Sequence, residues 1–252
     1  MTPDPLFDIA GKRVLITGAS SGLGKHFAQF LASRGACVVL AARRAEALDQ
    51  ACCEITKNGG EATPMVLDVA DGEAVRVALA DERFDIVVNN AGISRTGALM
   101  DLSPEDWQSV IDVDLSAAFN VAQAAARGMR DSGKGGSIVN VASILGKRVA
   151  GGVGAYTAAK AGLVQLTRAM ALEWARFDIR VNALCPGYFS TEINQGFFES
   201  GHGQAMIKRV PMRRIGDVSD LDGPLLLLAS DAGRFMTGTE VVADGGHLVS
   251  GL

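Results

Sequence analysis

The sequence predicts an α/β fold in which a parallel sheet is covered on both faces by helices. Three observations carry that expectation. From residue 12 onward, short apolar runs alternate with longer amphipathic ones along the 252-residue chain. The short runs are nearly continuous in apolar residues, as strands buried on both faces require. The first strand-to-helix connection, TGASSGLG at 17–24, is rich in glycine.

Taken in order, RVLIT (13–17) reads as the first strand and is followed by a helix over about 22–34. CVVLA (37–41) is the second strand, and a helix runs from Arg44 to about Lys57. ATPMVLDV (62–69) is the third strand and, after a short helix, DIVVNNAG (85–92) the fourth. A long helix starts at Ser103-Pro104 and runs to about Ser132. Ser103 can cap it, Pro104 suits the first helical position, and Glu105 and Asp106 favour the positive end of the helix dipole. SIVNVAS (137–143) is the fifth strand, 155–177 a helix and IRVNALCP (179–186) the sixth strand. A polar, glycine-containing insertion at 188–214 precedes a last helix (218–230) and a final strand, GTEVVADGG (238–246). No linker, charge block or repeat divides this pattern, so residues 1–252 are expected to form one domain.

A hydrophobic fraction of 48% suits a large core, and a net charge of −4 argues against a nucleic-acid surface or a polybasic membrane patch. The longest apolar runs, such as PLLLLA at 224–229, are too short to span a bilayer. MTPDPLFDIAG at the start has neither a basic nor an apolar leader segment, and a cytoplasmic protein is expected. Cys37, Cys52, Cys53 and Cys185 show no metal-ligand spacing, so no metal is expected and the thiols are read as buried and reduced.

In TGASSGLG, Gly18 permits a tight turn, Gly22 lets the backbone approach a pyrophosphate and Gly24 allows close packing of helix on sheet. The helix that follows offers unpaired amides and a positive dipole end to phosphates. The spacing is Gly-x-x-x-Gly-x-Gly. A triphosphate loop fails, because Gly24-Lys25 is followed by His26, which is read as an exposed helix residue.

Tyr156 and Lys160 in GAYTAAK (154–160) are four residues apart, which puts both on one helix face. A free phenol titrates near ~10, and a cation held beside it favours the phenolate. Such a pair can exchange a proton with a substrate oxygen that Ser143, at a strand end, would hold.

TGASSGLG, NNAG (89–92), Ser143, YTAAK (156–160) and PG (186–187) occur in the order and spacing of the short-chain dehydrogenase/reductase family, which the chain resembles from Gly11 to DGG at 244–246. LFDIAGKR (6–13) is similar to gluconate 5-dehydrogenase-like members, and 3-oxoacyl reductase-like members are the related alternative. The resemblance implies a Rossmann-type, doubly wound sheet of seven strands in the order 3-2-1-4-5-6-7, binding a nicotinamide cofactor. It sets Gly18, Ser20, Ser21, Gly22, Leu23 and Gly24 against the cofactor, with Asp68-Val69 at the adenine and Asn90, Ala91 and Gly92 along its ribose. Pro186-Gly187 and Thr191 would seat the nicotinamide, and Tyr156 and Lys160 would touch it too. For Asn89 and Asn90, stabilising a turn is the competing role.

At the end of the second strand, where a carboxylate would hold the ribose of NAD, the chain has Ala41-Ala42-Arg43-Arg44. Glu46 falls a turn into the helix. NADP(H) is therefore favoured, through Arg43, and NAD(H) is the alternative; Ser21 adds no second cation. The family's chemistry implies that Ser143 donates to the carbonyl oxygen, Tyr156 is the general acid/base, and Lys160 tunes it and holds ribose hydroxyls.

One departure concerns the family's helix asparagine, which supports a water relay to the lysine. Here IDVDLSAAFN supplies Asp114, of the same size but without the amide donor, and Asn120 lies across the helix. Either the relay tolerates Asp114 or catalysis is altered.

The substrate pocket is expected from Ser94, Arg95, Ile144 to Lys147 and the 188–214 insertion, with Tyr188, Phe189, Phe197, Phe198 and Met206 as an apolar wall. Lys147, Arg148 and Lys208 are either solvated or suited to an anionic substrate. The expected partner is a small carbonyl or alcohol substrate, interconverted by hydride transfer. Candidates are a simple ketone, a 3-oxoacyl thioester and a sugar acid. Small-residue faces at 117–129 and 157–175 suit a homotetramer or homodimer, and the tail from His247 to Leu252 could reach a neighbour. The reading from another class is a cofactor-binding member with little turnover, in a regulatory or scaffold role.

Overall fold

The computed structural model describes residues 4–190 and 198–250. Seven parallel strands form one sheet in the order 3-2-1-4-5-6-7. They are β1 (Arg13–Thr17), β2 (Cys37–Ala42), β3 (Glu61–Val66), β4 (Ile86–Asn89), β5 (Gly136–Val141), β6 (Ile179–Pro186) and β7 (Glu240–Ala243). Alternate strand residues feed two separate apolar layers. Val14, Ile16, Val38 and Leu40 join α1 (Gly22–Ser33) and α2 (Ala45–Lys57) on one face. Leu15, Val39, Val87 and Ile138 meet α3 (Gly72–Ala78), α5 (Ala117–Ser132) and α6 (Gly154–Trp174) on the other. This two-sided burial is why the strands read as unbroken apolar runs.

The order reverses between β1 and β4, whose pairing sets Val14 opposite Ile86 and Ile16 opposite Val88. The connections that leave the neighbouring strands β1 and β4 run in opposite directions, to β2 and to β5, so a crevice opens beyond the carboxyl ends of the strands. A separate cavity of about 600 Å³ lies at the opposite end, at the amino ends of the strands, lined by residues such as Lys12, Asp85, Ser137 and Arg180. Topology, rather than cavity size, locates the site.

Three elements depart from their expected form. β3 ends at Val66, so Asp68 and Val69 lie in the turn toward α3, whose first N–H groups are capped by Asp71. It is an edge strand paired only with β2, and Pro64 cannot donate to a ladder. The helix from Ser103 to Ser132 is interrupted: α4 (Pro104–Ile111) passes through a π turn (Asp112–Ser116) into α5. Its ends are as expected, with the Ser103 hydroxyl accepting from Asp106 N at 3.0 Å and Gly133 closing it at φ +66°. The last helix begins as a 3-10 turn (Val218–Leu221) before α8 (Asp222–Ala229), and the insertion contains α7 (Gly201–Ile207).

The side-chain expectations need two corrections. Cys52 and Cys185 are buried, but Cys53 is exposed and Cys37 half-buried; all are free thiols. Adjacent residues on α2 are about 100° apart, so Cys52 and Cys53 cannot both face the core. His26 is half-buried and bonds Asp222 Oδ1 at 2.7 Å, tying α1 to α8. No helix among the described residues is long and apolar enough to cross a membrane.

Candidate active site

The glycine turn is built as a cradle. Gly18 has φ +67°, and a Cβ there would lie 2.9 Å from Ala91 Cα. A Cβ on Gly24 would lie 2.4 Å from Gly18 O and 2.5 Å from Asn90 Nδ2, so only glycine lets α1 start this close to the sheet. Gly22, at φ +54°, faces open space. Ser21 occupies the N-cap of α1 without capping it by its side chain. Instead, Arg44 Nη2 donates to Ser20 Oγ at 3.0 Å and to Ser21 Oγ at 2.9 Å. An uncapped helix start, an open glycine and a guanidinium drawn onto two hydroxyls fit the phosphates of a dinucleotide.

Thr17 fixes the neighbouring segment. Its hydroxyl accepts from Asn90 N at 3.0 Å and Ala91 N at 3.1 Å, and its carbonyl accepts from Asn90 Nδ2 at 3.0 Å. Asn89 is buried and donates to Ala118 O and to Asn140 Oδ1, while Asn140 Nδ2 donates to Thr167. Both asparagine amides therefore bind the protein itself, joining β4, β5, α5 and α6. Leu23 packs on the core and Gly92 is exposed at the mouth. Arg43 points outward, 3.8 Å from Asp68 Oδ2, and Glu46 is exposed in the first turn of α2. Pro186 ends β6, and Gly187 N donates to Ala243 O. Thr191 and Phe197 lie outside the described residues.

Ser143, Tyr156 and Lys160 come together where β5 ends and α6 begins. Ser143 is buried; its Oγ accepts from Leu145 N at 3.1 Å, which orients the hydroxyl and leaves its hydrogen to donate elsewhere. Tyr156 is half-buried, with Lys160 Nζ 5.5 Å from its ring centroid. Lys160 is 3% exposed and donates to Val141 O at 3.0 Å. The π turn aims Asp114 at the same lysine. Asp114 Oδ1 accepts from Ile93 N at 2.7 Å, and Oδ2 lies 3.2 Å from Lys160 Nζ. The approach of Oδ2 is off the hydrogen-bonding angle, so it is ion-paired yet unbonded. Burial raises the Asp114 carboxyl above the usual carboxylate range, with Lys160 and the Ile93 N–H pulling it back in part. Asn120 instead faces Gly72.

A family model described as enoyl-(acyl carrier protein) reductase matches residues 18–247. A gluconate 5-dehydrogenase of Gluconobacter oxydans (strain 621H) is 39% identical over 256 residues, which is 99% of this chain and 100% of that protein. The chain belongs to the short-chain dehydrogenase/reductase family. A 3-oxoacyl-[acyl-carrier-protein] reductase of Thermotoga maritima is 37% identical, covering 96% of this chain and 99% of that one. The crystal structure of a gluconate 5-dehydrogenase from Burkholderia cenocepacia J2315, in complex with NADP and tartrate, superposes with a TM-score of 0.93 at 36% identity, covering 98% of this chain and 99% of that one. Short-chain dehydrogenase/reductases of this kind are NAD(P)-dependent oxidoreductases acting on CH–OH groups.

Within this family frame two site features were missed in the sequence. Arg44, rather than Arg43, reaches the glycine turn. Side chains at a strand end alternate between faces, so one of two consecutive arginines had to turn that way. The second is the pairing of Lys147 with Glu240, which also holds Arg168. Lys147 is thereby neutralised. Of the expected apolar wall, Phe189 is core, packed against Gly216, while Tyr188 meets Phe198 edge-on with centroids 6.4 Å apart.

Proposed function

We propose that this chain interconverts a ketone and a secondary alcohol with NADP(H) in preference to NAD(H). The observation that carries the reading is the convergence of the Ser143 hydroxyl, the Tyr156 phenol and a fully buried Lys160 beside the crevice. The preference for NADP(H) is supported by two cations, Arg43 and Arg44, at the end of β2, where neither Ala41 nor Ala42 offers a carboxylate. Gly18 to Gly24 would hold the pyrophosphate, Arg44 the 2′-phosphate of the adenine ribose, and Lys160 the nicotinamide ribose. Bound there, a nicotinamide supplies hydride exchange with the substrate carbon.

The protein's own part is to bind the oxygen and move its proton. Ser143 donates to the carbonyl oxygen, where negative charge builds during reduction. Tyr156 passes its phenolic proton to that oxygen and becomes a phenolate; in oxidation the phenolate takes the proton back. The Lys160 ammonium, fixed by Val141 O, favours the phenolate form. Asp114 opposes that influence while holding Lys160 in place.

The whole chain is read as one cofactor-binding domain with 188–214 as its substrate loop, in a cytoplasmic homotetramer or homodimer. Phe119 on α5 and Leu172 on α6, 37% and 84% exposed, support subunit contacts along those helices. Light scattering checks the assembly, and a clean monomer contradicts it. For the chemistry, a panel of ketones, 3-oxoacyl thioesters, sugar acids and steroids is followed at the NADPH absorbance. Tyr156→Phe is expected to lose all but a few per cent of turnover while still binding NADPH, as read by fluorescence. Retained turnover overturns the assignment.

A further inference from the structure

Ser143 stands at the root of a short strap that leaves the sheet. Beyond β5 the chain makes one 3-10 turn (Ile144–Gly146) and reaches Lys147. Gly146 sets this turn directly on α6, because a Cβ there would lie 2.8 Å from Lys160 O and 3.0 Å from Lys160 C. Gly146 N donates to Ser143 O at 3.0 Å, and Lys147 N and Arg148 N donate to Ile144 O at 2.9 and 3.0 Å. These backbone bonds are internal to the strap. Its outward ties are side chains: the buried Ile144, Arg148 donating to His247 O, and Lys147.

Lys147 ends on Glu240, whose side chain is only 8% exposed although β7 is an edge strand. Lys147 Nζ donates to Glu240 Oε2, and Arg168 Nη2 donates to Oε1. Each carboxylate oxygen is thus engaged by a cation, as a buried charge requires. Arg168 lies about two turns beyond Lys160 on α6, and the chain entering β7 meets the helix there, a Cβ on Gly238 falling 4.0 Å from Arg168 Cα. Glu240 therefore braces the strap that follows Ser143 against the helix that carries Tyr156 and Lys160. A second observation sets the same groups together around Cys185 of β6, which is fully buried. Burial foremost, then the Glu240 charge, pushes its thiol up to about 11, while Lys147, the Ser143 N–H and Lys160 pull it back.

We propose that Glu240 is a positioning residue for carbonyl–alcohol exchange: through Lys147 it fixes the strap, and with it the placement of the Ser143 hydroxyl relative to Tyr156. The proposal rests on the exchange at Tyr156 as read above. A hydroxyl and a phenol serve one substrate oxygen only while their separation is held, and a displacement of about 1 Å can cost on the order of 10²-fold in rate. Glu240 itself touches no reacting atom.

The test uses NADPH and the member of the panel that turns over fastest. Glu240→Gln and Lys147→Met should each lower kcat about 10–100-fold, short of the ~10²–10³ lost when an oxyanion donor is removed outright. NADPH binding, read by fluorescence, should hold. Lys147→Arg keeps the charge and should recover most of the rate. Lys147→Met leaves the Glu240–Arg168 pair intact, so it reports on the strap even where Glu240→Gln does not fold. Added to Ser143→Ala, Lys147→Met should cost kcat nothing further, because residues acting through one group are not additive. Equal losses in both backgrounds, or an unchanged kcat, overturn the proposal. Hydrogen exchange gives a reading independent of turnover. The amides of Leu145 to Lys147 should exchange about 10–100-fold faster in Lys147→Met, the loss of a charge-assisted contact, with those of β5 unchanged. Strap amides that do not respond overturn the brace. Strap amides that respond in a protein that turns over no ketone or alcohol, with either cofactor, instead overturn the reading on which it rests.

Discussion

Replacing Asp114 by asparagine swaps a carboxylate for an amide of the same shape, and its consequences follow from two distances. Oδ1 can go on accepting from Ile93 N, so the π turn keeps its anchor. What disappears is the negative charge 3.2 Å from Lys160 Nζ, itself 5.5 Å from the Tyr156 ring, which puts that charge within about 9 Å of the ring. Across such a separation Coulomb's law gives about 0.5–1.9 kcal/mol for effective dielectric constants of about 80 and 20, or ~0.3–1.4 pH units. The charge opposes the phenolate that alcohol oxidation needs. The acid limb of the oxidation rate should therefore move to lower pH in Asp114→Asn by that amount. Other ionisable groups bearing on Tyr156 and Lys160 are Tyr188 and Cys185, whose thiol burial pushes up to about 11; neither is altered.

Stability supplies the second half of this test. Burial raises the Asp114 carboxyl, so the folded protein holds that proton more firmly than the unfolded chain does. The resulting stabilisation is complete below the ordinary carboxylate value near ~3.9 and is lost as pH climbs through the raised folded value. The amide loses nothing over that range. At low pH the two proteins should melt alike; toward pH 7 the variant should gain on wild type. Each unit of elevation is worth about 1.4 kcal/mol, and each kcal/mol moves Tm by about 2–4 °C in a chain this long. Melting curves across this range decide the matter. If wild type gains on the variant instead, or if the oxidation limb moves to higher pH, the charge balance argued for Asp114 and Lys160 is wrong.

Arg44→Ser removes the guanidinium that bridges Ser20 and Ser21 and should lower kcat/KM for NADPH about 10–100-fold, the loss of a charge-assisted contact. Its effect with NADH should be under about threefold, since only the phosphorylated ribose demands a cation. Gly24→Ala forces a Cβ to within 2.4 Å of Gly18 O, so the helix start must shift. We expect a loss of about 1–3 kcal/mol in thermal melts and a parallel weakening of NADPH binding by fluorescence titration.

The sheet was legible because each strand is buried on both faces, a constraint written locally into RVLIT, CVVLA and IRVNALCP. Tyr156 and Lys160 were legible for the same reason, since four residues along a helix is a local distance. The π turn was not: IDVDLSAAFN has no glycine or proline, and only the contacts of Asp114 with Ile93 and Lys160 reveal where the helix is distorted. Arg44 was obscured by its neighbour, because the choice between them depends on how β2 lies beside β1, which sets Ala41 opposite Thr17. The place of His247, at the start of the expected tail, was not legible either: its ring meets Tyr188 of its own chain, with centroids 5.4 Å apart. That link joins segments far apart in sequence and depends on the turn at Asp244.

The π turn also bears on how this chain can change length. A π turn carries about one residue more than the α turn it replaces, and each α-helical residue rotates the chain by about 100°. α5 is pinned to the sheet by Val121, Ala122 and Ala125, and α4 is fixed at its start by the Ser103 cap. Deleting one residue from 112–116 would restore plain helical spacing without freeing either end, so the side chain facing Lys160 would rotate away. The extra residue is thus a register shim. This helix can be shortened only at the expense of the geometry around Lys160.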